Sequence, residues 1–298
     1  MAETAEARVG VYIDFDNIVI SRYDQRNGRS SWQRDHARDF DPRSDGESPV
    51  AKRLEESTVD LGAILDFASS FGPIAVSRAY ADWSVPINAS YRAQLIARAV
   101  ELVQLFPLTA GMKNGADIRL AVDVVEDLFR LSDLTHVVIV AGDSDYVALA
   151  QRCRMLGRYV VGVGVAGSTS SALANACDRF ADYDAIPGVA AASRRREADE
   201  AAAAAEPAQP TRRRRARSRT PHELASDLLV RAIELLQDKN DDEWQGSGAV
   251  KNQMLRMDPS FQERALGFRS FGDFVQSLDA VELDESHPSR RLRVKSRP

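Results

Sequence analysis

Aspartates mark three apolar or amphipathic segments that lie far apart in this chain. The segments read VYIDFDNI with Asp14 and Asp16, NGADIRLAVD with Asp117 and Asp123, and VVIVAGDSDY with Asp143 and Asp145. Each pair follows a strand-like run or opens a helix-like one. Because the carboxyl ends of parallel strands open onto one crevice, these carboxylates are predicted to gather there. Crowded carboxylates repel one another unless a cation or proton relieves them, so the pattern predicts a metal site.

Strand-like and helix-like patterns alternate between these segments, which predicts an α/β fold with a mainly parallel sheet. Strands are predicted at 9–15, 74–80, 106–108, 136–141, 159–165 and 179–182. Helices are predicted at 61–68, 88–105, 116–130, 145–156 and 170–177. Residues 21–58 are polar and turn-rich, and they are predicted to form an irregular insertion.

The last third of the chain has a different organisation. Residues 189–220 contain AAAAAEPAQP and TRRRRARSR, a composition typical of a flexible linker. Beyond it, helices are predicted from Pro221 to Leu236, over 249–257 and over 271–278, followed by a hairpin. Three helices and a hairpin indicate a small winged-helix-like α+β domain, with predicted domain boundaries of 8–188, 189–220 and 221–298.

Overall composition excludes some classes of protein and leaves others open. The net charge of −5 does not by itself indicate a nucleic-acid-binding protein. The arginine run is either a solvated tether or a local site of phosphate attraction. No apolar run reaches the length of a membrane span, and the polar N-terminus lacks a signal-peptide pattern, so we expect a cytoplasmic protein. The 2 cysteines and 4 histidines have no zinc-type spacing.

The aspartates are not equally strong candidates for metal ligands. Asp14 and Asp143 follow buried strands and are the strongest candidates. Asp117 is favoured over Asp123, since six helical residues place the two side chains on different faces. Asp145 can instead cap a helix, and Asp16 can instead form a turn.

Ligands that are all oxygen favour a hard cation, Mg²⁺ or Mn²⁺. Such an ion activates water and polarises a phosphoryl group, which fits phosphodiester hydrolysis. Asn17 is a candidate for orienting the scissile phosphate, and Ser144 offers a hydroxyl group nearby. Lys113 either neutralises phosphate charge or is a solvated loop lysine.

The segments YIDFDN, KNGADIRLAVD and VAGDSDY together resemble the NYN domain, a PIN-like, Rossmannoid ribonuclease fold, and especially its bacterial LabA-related branch. The resemblance covers roughly residues 8–186. It implies a metal-dependent endoribonuclease whose principal acidic residues are Asp14, Asp117 and Asp143. Asn17, Asp123 and Asp145 are then supporting members. The 21–58 insertion departs from the minimal domain and could cover the crevice.

The segment GSGAVKNQMLRMDPSFQERALGFRSFGDFVQSL resembles an OST-HTH, or LOTUS, domain. The resemblance implies a winged-helix-like module that recruits RNA or a protein partner. Its basic candidates for phosphate contact are Lys251, Arg256 and Arg269. Phe268, Phe271 and Phe274 are expected to belong to its core.

Two other functions stay open at this point. IDFDN and GDSDY also resemble motifs of haloacid-dehalogenase phosphatases, in which Asp14 would be a nucleophile. However, Asn17-Ile18 replaces the usual Gly-Thr, and the spacing in GDSDY differs from that family. The other alternative is a non-catalytic scaffold that binds RNA or protein. The oligomeric state is open too, with a homodimer among the alternatives.

Overall fold

The computed structural model describes residues 7–41, 48–106, 115–189 and 220–295. The chain divides into two compact units, Met1–Ile186 and Pro187–Pro298. Lys113 and nearly all of the predicted linker lie outside the described residues.

The first unit is built on a parallel sheet of six strands, which confirms the predicted fold class. The strands are β1 (Val9–Asp14), β2 (Ile74–Ala81), β3 (Glu101–Gln104), β4 (His136–Val140), β5 (Tyr159–Gly164) and β6 (Arg179–Asp182). Their order across the sheet is β3-β2-β1-β4-β5-β6. The chain moves outward in one direction from β1 and in the other from β4, so the topological switch point lies between these two strands. Both strands are almost wholly buried, as expected for the centre of a parallel sheet.

Helices cover both faces of this sheet. They are α1 (Phe15–Asn27), α2 (Ser31–Arg34), α3 (Pro49–Glu56), α4 (Leu61–Ser69), α5 (Pro86–Ser90), α6 (Arg92–Ala97), α7 (Ala116–Arg130), α8 (Val147–Met155) and α9 (Ser171–Ala176). Helix α7 packs on β1 and β2 and beside α8, and its inner side joins a core cluster with Leu120, Val124 and Leu128.

The prediction of one helix over 88–105 was wrong, and most of the predicted strand at 106–108 lies outside the described residues. Two short helices, α5 and α6, occupy the first part, and the strand β3 lies at Glu101–Gln104. Ala99 has a φ of 54°, a left-handed conformation that ends the helical run. The apolar residues that follow pair with β2 rather than continuing a helical stripe.

The prediction that 21–58 is an irregular insertion was also wrong for the residues that the structure describes. Helix α1 continues to Asn27, and α2, a 3₁₀ turn at Ala37–Asp39 and α3 follow. Tyr23, Trp32 and Leu54 are buried. Few apolar side chains are enough here, because each is large: the rings of Tyr23 and Trp32 pack edge to face with their centroids 5.4 Å apart.

Helix α7 is attached to the sheet by carboxylates rather than only by apolar side chains. The Tyr12 hydroxyl donates to Asp127 Oδ2 at 2.9 Å, and the Tyr80 hydroxyl donates to Asp123 Oδ2 at 3.1 Å. The Arg78 guanidinium also binds Asp127. These bonds set the rotation of α7 about its axis, because both carboxylates must face the strands.

The second unit has the predicted three helices and hairpin. The helices are α10 (Pro221–Asn240), α11 (Ser247–Met257) and α12 (Phe271–Gln276), and the strands are β7 (Gln245–Gly246), β8 (Val281–Asp284) and β9 (Arg291–Val294). The strands form an antiparallel sheet in the order β7-β9-β8. Thr220 caps α10 in a capping box with Glu223. This small α+β arrangement agrees with the predicted winged-helix-like class.

Among the described helices, none has the length and apolarity that a membrane span requires.

Candidate active site

Asp14 lies at the carboxyl end of β1, beside the switch point of the sheet, and it is also the N-cap of α1. Its Oδ1 accepts a hydrogen bond from the backbone N–H of Asn17 at 3.2 Å. Its Oδ2 accepts a hydrogen bond from the Tyr146 hydroxyl at 2.7 Å. Both oxygens are therefore held by neutral donors, and the side chain has one defined orientation.

The surroundings of Asp14 oppose its negative charge. The pKa of this carboxyl is raised to about 6 by burial above all and also by the charges of Asp16 and Asp117, against the lowering effect of the bonds from Tyr146 and Asn17. A carboxylate that is 7 % exposed, with two acidic neighbours, is stabilised by added positive charge. The site is therefore chemically suited to a cation.

Asn17 connects the ends of the two central strands. Its side-chain Oδ1 accepts a hydrogen bond from the backbone N–H of Gly142 at 2.9 Å, while its own backbone N–H donates to Asp14. Gly142 immediately precedes Asp143 in the loop after β4. The Asn17 side chain thus holds the loop with Asp143 against the start of α1.

The acidic residues after β4 are exposed, unlike Asp14. Asp143, Ser144 and Asp145 all face solvent at the start of a 3₁₀ turn, Ser144–Tyr146. Asp143 occupies the N-cap position, but its side chain makes no capping bond, and Ser144 Oγ lies 3.4 Å from its Oδ1. The alternative prediction, that Asp145 caps a helix, does not match its position, because Asp145 lies inside this 3₁₀ turn.

Tyr146 is the residue around which the acidic group is arranged. Burial raises the pKa of its hydroxyl, and the charges of Asp14, Asp117 and Asp143 raise it further. Asp14, Asp117 and Asp143 therefore lie within electrostatic range of one phenol. The charges of the three principal acidic residues predicted from the sequence all act on this tyrosine, which the sequence did not indicate, and their role as metal ligands stays a prediction.

Asp123 is separated from this group by its contacts. Besides the bond from Tyr80, its Oδ1 accepts a hydrogen bond from Arg119 Nε at 2.9 Å. One oxygen of Asp123 is thus bound by the sheet and the other by an arginine of α7 itself, and its role as a supporting metal ligand stays a prediction. Asp117, six residues earlier in the helix, is half-buried, and its charge raises the pKa of Asp14.

Asp16 has a polar partner that makes it more than a turn-forming residue. Its Oδ1 accepts a hydrogen bond from Asn88 Nδ2 at 2.8 Å, and the same amide donates to the carbonyl of Asp82 at 3.1 Å. Asn88 is buried. It links the start of α1 to the loop after β2.

Asp82 is a further buried carboxylate at the same edge, and sequence reasoning missed it as a site residue. Burial acts to raise its pKa, but hydrogen bonds from Ser84 and Gln104 and the nearby Arg38 charge lower it overall. Arg38 Nη2 lies 3.4 Å from its Oδ2, so the segment after α2 reaches this edge of the sheet. The strand-end rule that selected Asp14 and Asp143 would also have selected Asp82.

Within the residues that the structure describes, no three His, Cys, Asp or Glu side chains are close enough together to hold a metal ion as they stand. The donor set fits a hard cation by its chemistry, since it consists of carboxylates around one buried, uncompensated member.

The basic candidates of the second unit have different environments. Lys251 Nζ forms an ion pair with Glu263 Oε1 at 2.7 Å and lies 5.6 Å from the centroid of the Phe271 ring. Arg256 and Arg269 are exposed. Lys251 is thus committed to contacts within its own domain, and the two arginines are more accessible to a phosphate.

The phenylalanines of the second unit belong to its core, as predicted. Phe274 is fully buried and Phe271 nearly so, and Phe268 packs on Phe274 with ring centroids 5.5 Å apart. In the hairpin, Arg293 pairs with Glu282 and lies 4.6 Å from the centroid of the Trp244 ring.

A parallel sheet with a carboxylate-lined switch point defines the first unit as a nuclease-type, PIN-like fold, and the family comparison agrees. The NYN domain model matches residues 8–184, and the chain belongs to the NYN family. NYN domains are generally ribonucleases. The OST-HTH/LOTUS domain model matches residues 223–292.

Comparison with solved structures gives a distant match. A crystal structure of a protein of unknown function from Vibrio parahaemolyticus is similar with 19 % identity and a TM-score of 0.43, covering 62 % of this chain and 98 % of that one. Among curated proteins, no sequence matches the chain.

Proposed function

We propose that this protein is a metal-dependent endoribonuclease whose C-terminal domain recruits the RNA. The observation that carries the proposal is Asp14, a buried carboxylate at the switch point whose neighbours Asp16 and Asp117 are acidic. Asp117 and Asp143 complete the proposed ligand set, with Asp16 and Asp145 as outer members.

In this proposal, different residues of the chain have different roles. The Tyr146 hydroxyl and the backbone N–H of Asn17 hold the Asp14 carboxylate in one orientation. Asn17 also keeps the Asp143 loop next to it. The exposed Asp143 and Ser144 are open to an incoming phosphodiester. A bound Mg²⁺ or Mn²⁺ would supply Lewis acidity and lower the pKa of a water molecule.

The first experiment measures cleavage of a labelled RNA with Mn²⁺, with Mg²⁺ and with EDTA. We expect D14N and D143N each to reduce cleavage by more than about 100-fold, because loss of a ligand charge costs several kcal/mol of transition-state stabilisation. The matched control is D133N, since Asp133 is an exposed carboxylate paired with Arg8. A control as inactive as D14N, or full cleavage in EDTA, would contradict the assignment.

The second candidate function is a scaffold without catalysis. The observation in its favour is that the described side chains do not form a ready-made metal site. RNA binding without cleavage under every metal condition, unchanged in D14N and D143N, would establish the scaffold instead. The same preparations are tested on a generic phosphomonoester, whose turnover would reveal a phosphatase.

RNA recruitment is tested separately, by removing residues 189–298. We expect weaker RNA affinity and a flatter dependence of affinity on salt, because fewer phosphate contacts release fewer counterions. Within the full chain, R256A should weaken binding more than K251A, since Lys251 is paired with Glu263. Fluorescence anisotropy over a range of salt concentrations measures both effects. Unchanged affinity after the deletion would refute recruitment by these residues.

A further inference from the structure

Helix α7 buries two carboxylates and exposes large apolar side chains on its outer side, in addition to the apolar side chains that it places in the core. It turns the carboxylates of Asp123 and Asp127 toward the sheet, where both are buried. On its outer side, Ile118, Val122 and Phe129 are 67 %, 57 % and 72 % exposed. A helix in a soluble domain normally exposes its charges and buries such side chains.

The exposed side chains form one continuous stripe. At 100° per residue, Ile118, Val122, Val125 and Phe129 lie within an arc of about 60°. Val125 is partly buried at the edge of the core cluster. The neighbouring helix α8 carries a further exposed apolar side chain, Met155. Contiguous exposed apolar surface of this kind marks an interaction site.

The bonds under α7 prevent the helix from turning this stripe inward. Rotation would break the bonds from Tyr12 and Tyr80 and the ion pair with Arg78. Leaving these buried groups without partners costs several kcal/mol. The stripe therefore stays on the surface, and only another surface can cover it.

We propose that α7 is the interface of a homodimer, in which the two α7 helices pack antiparallel along this stripe. The spacing of the stripe is 4, 3 and 4 residues, which reads the same in both directions. An antiparallel second copy therefore places Phe129 opposite Ile118 and Val125 opposite Val122. A two-fold interface requires this kind of self-complementary surface.

Charges beside the stripe favour the same arrangement. Arg119 and Glu126 lie on one flank of α7, and in the antiparallel pair the Glu126 of each copy is level with Arg119 of the other to within about 3 Å. Each side chain is 57 % exposed in the single chain and also has a partner one turn away, Asp123 for Arg119 and Arg130 for Glu126. In a parallel two-fold pair the charged flanks lie on opposite sides of the helix pair, so Arg119 and Glu126 of the two copies do not meet.

The oligomeric state of the full chain tests the proposal. Analytical ultracentrifugation at about 50 µM should detect a dimer, because interfaces of ordinary size have micromolar or lower dissociation constants. V122D should weaken dimerisation by at least about 30-fold. I96D is the matched control, since Ile96 on α6 is 63 % exposed and lies outside the stripe. A monomeric wild-type chain, or a V122D chain that dimerises like I96D, would overturn the proposal.

A cysteine experiment tests the register without depending on V122D. Residues 118 and 129 are about 16 Å apart along the helix, so in the antiparallel pair neither residue meets its own copy. Oxidation of a mixture of I118C and F129C should give several-fold more covalent dimer than either variant alone. The wild-type chain, with buried Cys153 and partly buried Cys177, gives the background. Equal cross-linking by I118C alone would overturn the antiparallel arrangement.

Discussion

The first domain has two groups of carboxylates, and they are compensated in different ways. Under α7, Asp127 has a tyrosine hydroxyl and the Arg78 guanidinium, and Asp123 has a tyrosine hydroxyl and Arg119. At the switch point, Asp14 has only neutral donors and acidic neighbours. The chain therefore supplies the counter-charge in one region and leaves it out in the other.

This difference separates structural carboxylates from candidate functional ones. A buried carboxylate with a built-in cation stabilises one arrangement of the fold, and its removal leaves an unpaired partner. A buried carboxylate without a built-in cation destabilises the folded state, and an external cation can relieve this destabilisation. Three predictions test this comparison.

The largest effect is expected for D127A, which should lower the free energy of unfolding by about 4 kcal/mol. The change leaves Arg78 and the Tyr12 hydroxyl without their shared partner. Denaturation by urea, with linear extrapolation, measures the difference. R130A is the control, because its pair with Glu126 is exposed and should contribute little. A loss as small as that of the control would place Asp127 outside the structural group.

In EDTA, D14N should have the opposite effect and raise the free energy of unfolding. The pKa of Asp14 is about 6 in the folded chain against an ordinary 3.8, so the folded state binds this proton more tightly than the unfolded state. The charged carboxylate thus destabilises the fold above about pH 6, and D14N should be more stable by about 3 kcal/mol at pH 8.

This gain should shrink as the pH falls and vanish below about pH 4, where Asp14 is protonated in both states. Unfolding curves of D14N and wild type at pH 8, 6 and 4 measure it. Added Mn²⁺ should stabilise wild type more than D14N. Destabilisation by D14N at pH 8 would show that Asp14 belongs with Asp127.

The smallest effect is expected for Y146F, which should weaken Mn²⁺ binding by about 10-fold, because Tyr146 orients Asp14 without replacing it. Calorimetric titration with Mn²⁺ measures this change. Y23F is the matched control, since it removes a tyrosine bond to Asp35 away from the crevice. Equal Mn²⁺ affinities in Y146F and Y23F would remove Tyr146 from the site.

The strands and the strand-end aspartates could be predicted from local patterns. Burial on both faces makes β4 and β5 short, β-branched runs, and such runs are visible in the sequence. The helix at 88–105 could not be resolved, because its apolar spacing fits a helix until the backbone at Ala99 turns. The segment 21–58 was misjudged because its few buried aromatic residues have no period.

The sequence by itself determined the class of this protein: an α/β domain with aspartates after its central strands, and a second domain of three helices and a hairpin. These features depend on neighbours along the chain, which local periodicity records. Only the tertiary structure decided which aspartates influence one another electrostatically. Asp14 and Asp117 are about a hundred positions apart yet share one electrostatic environment, while Asp123, in the same helix as Asp117, is bound by Tyr80. Charge interactions depend on distance in space and on burial, and neither can be read from spacing along the chain.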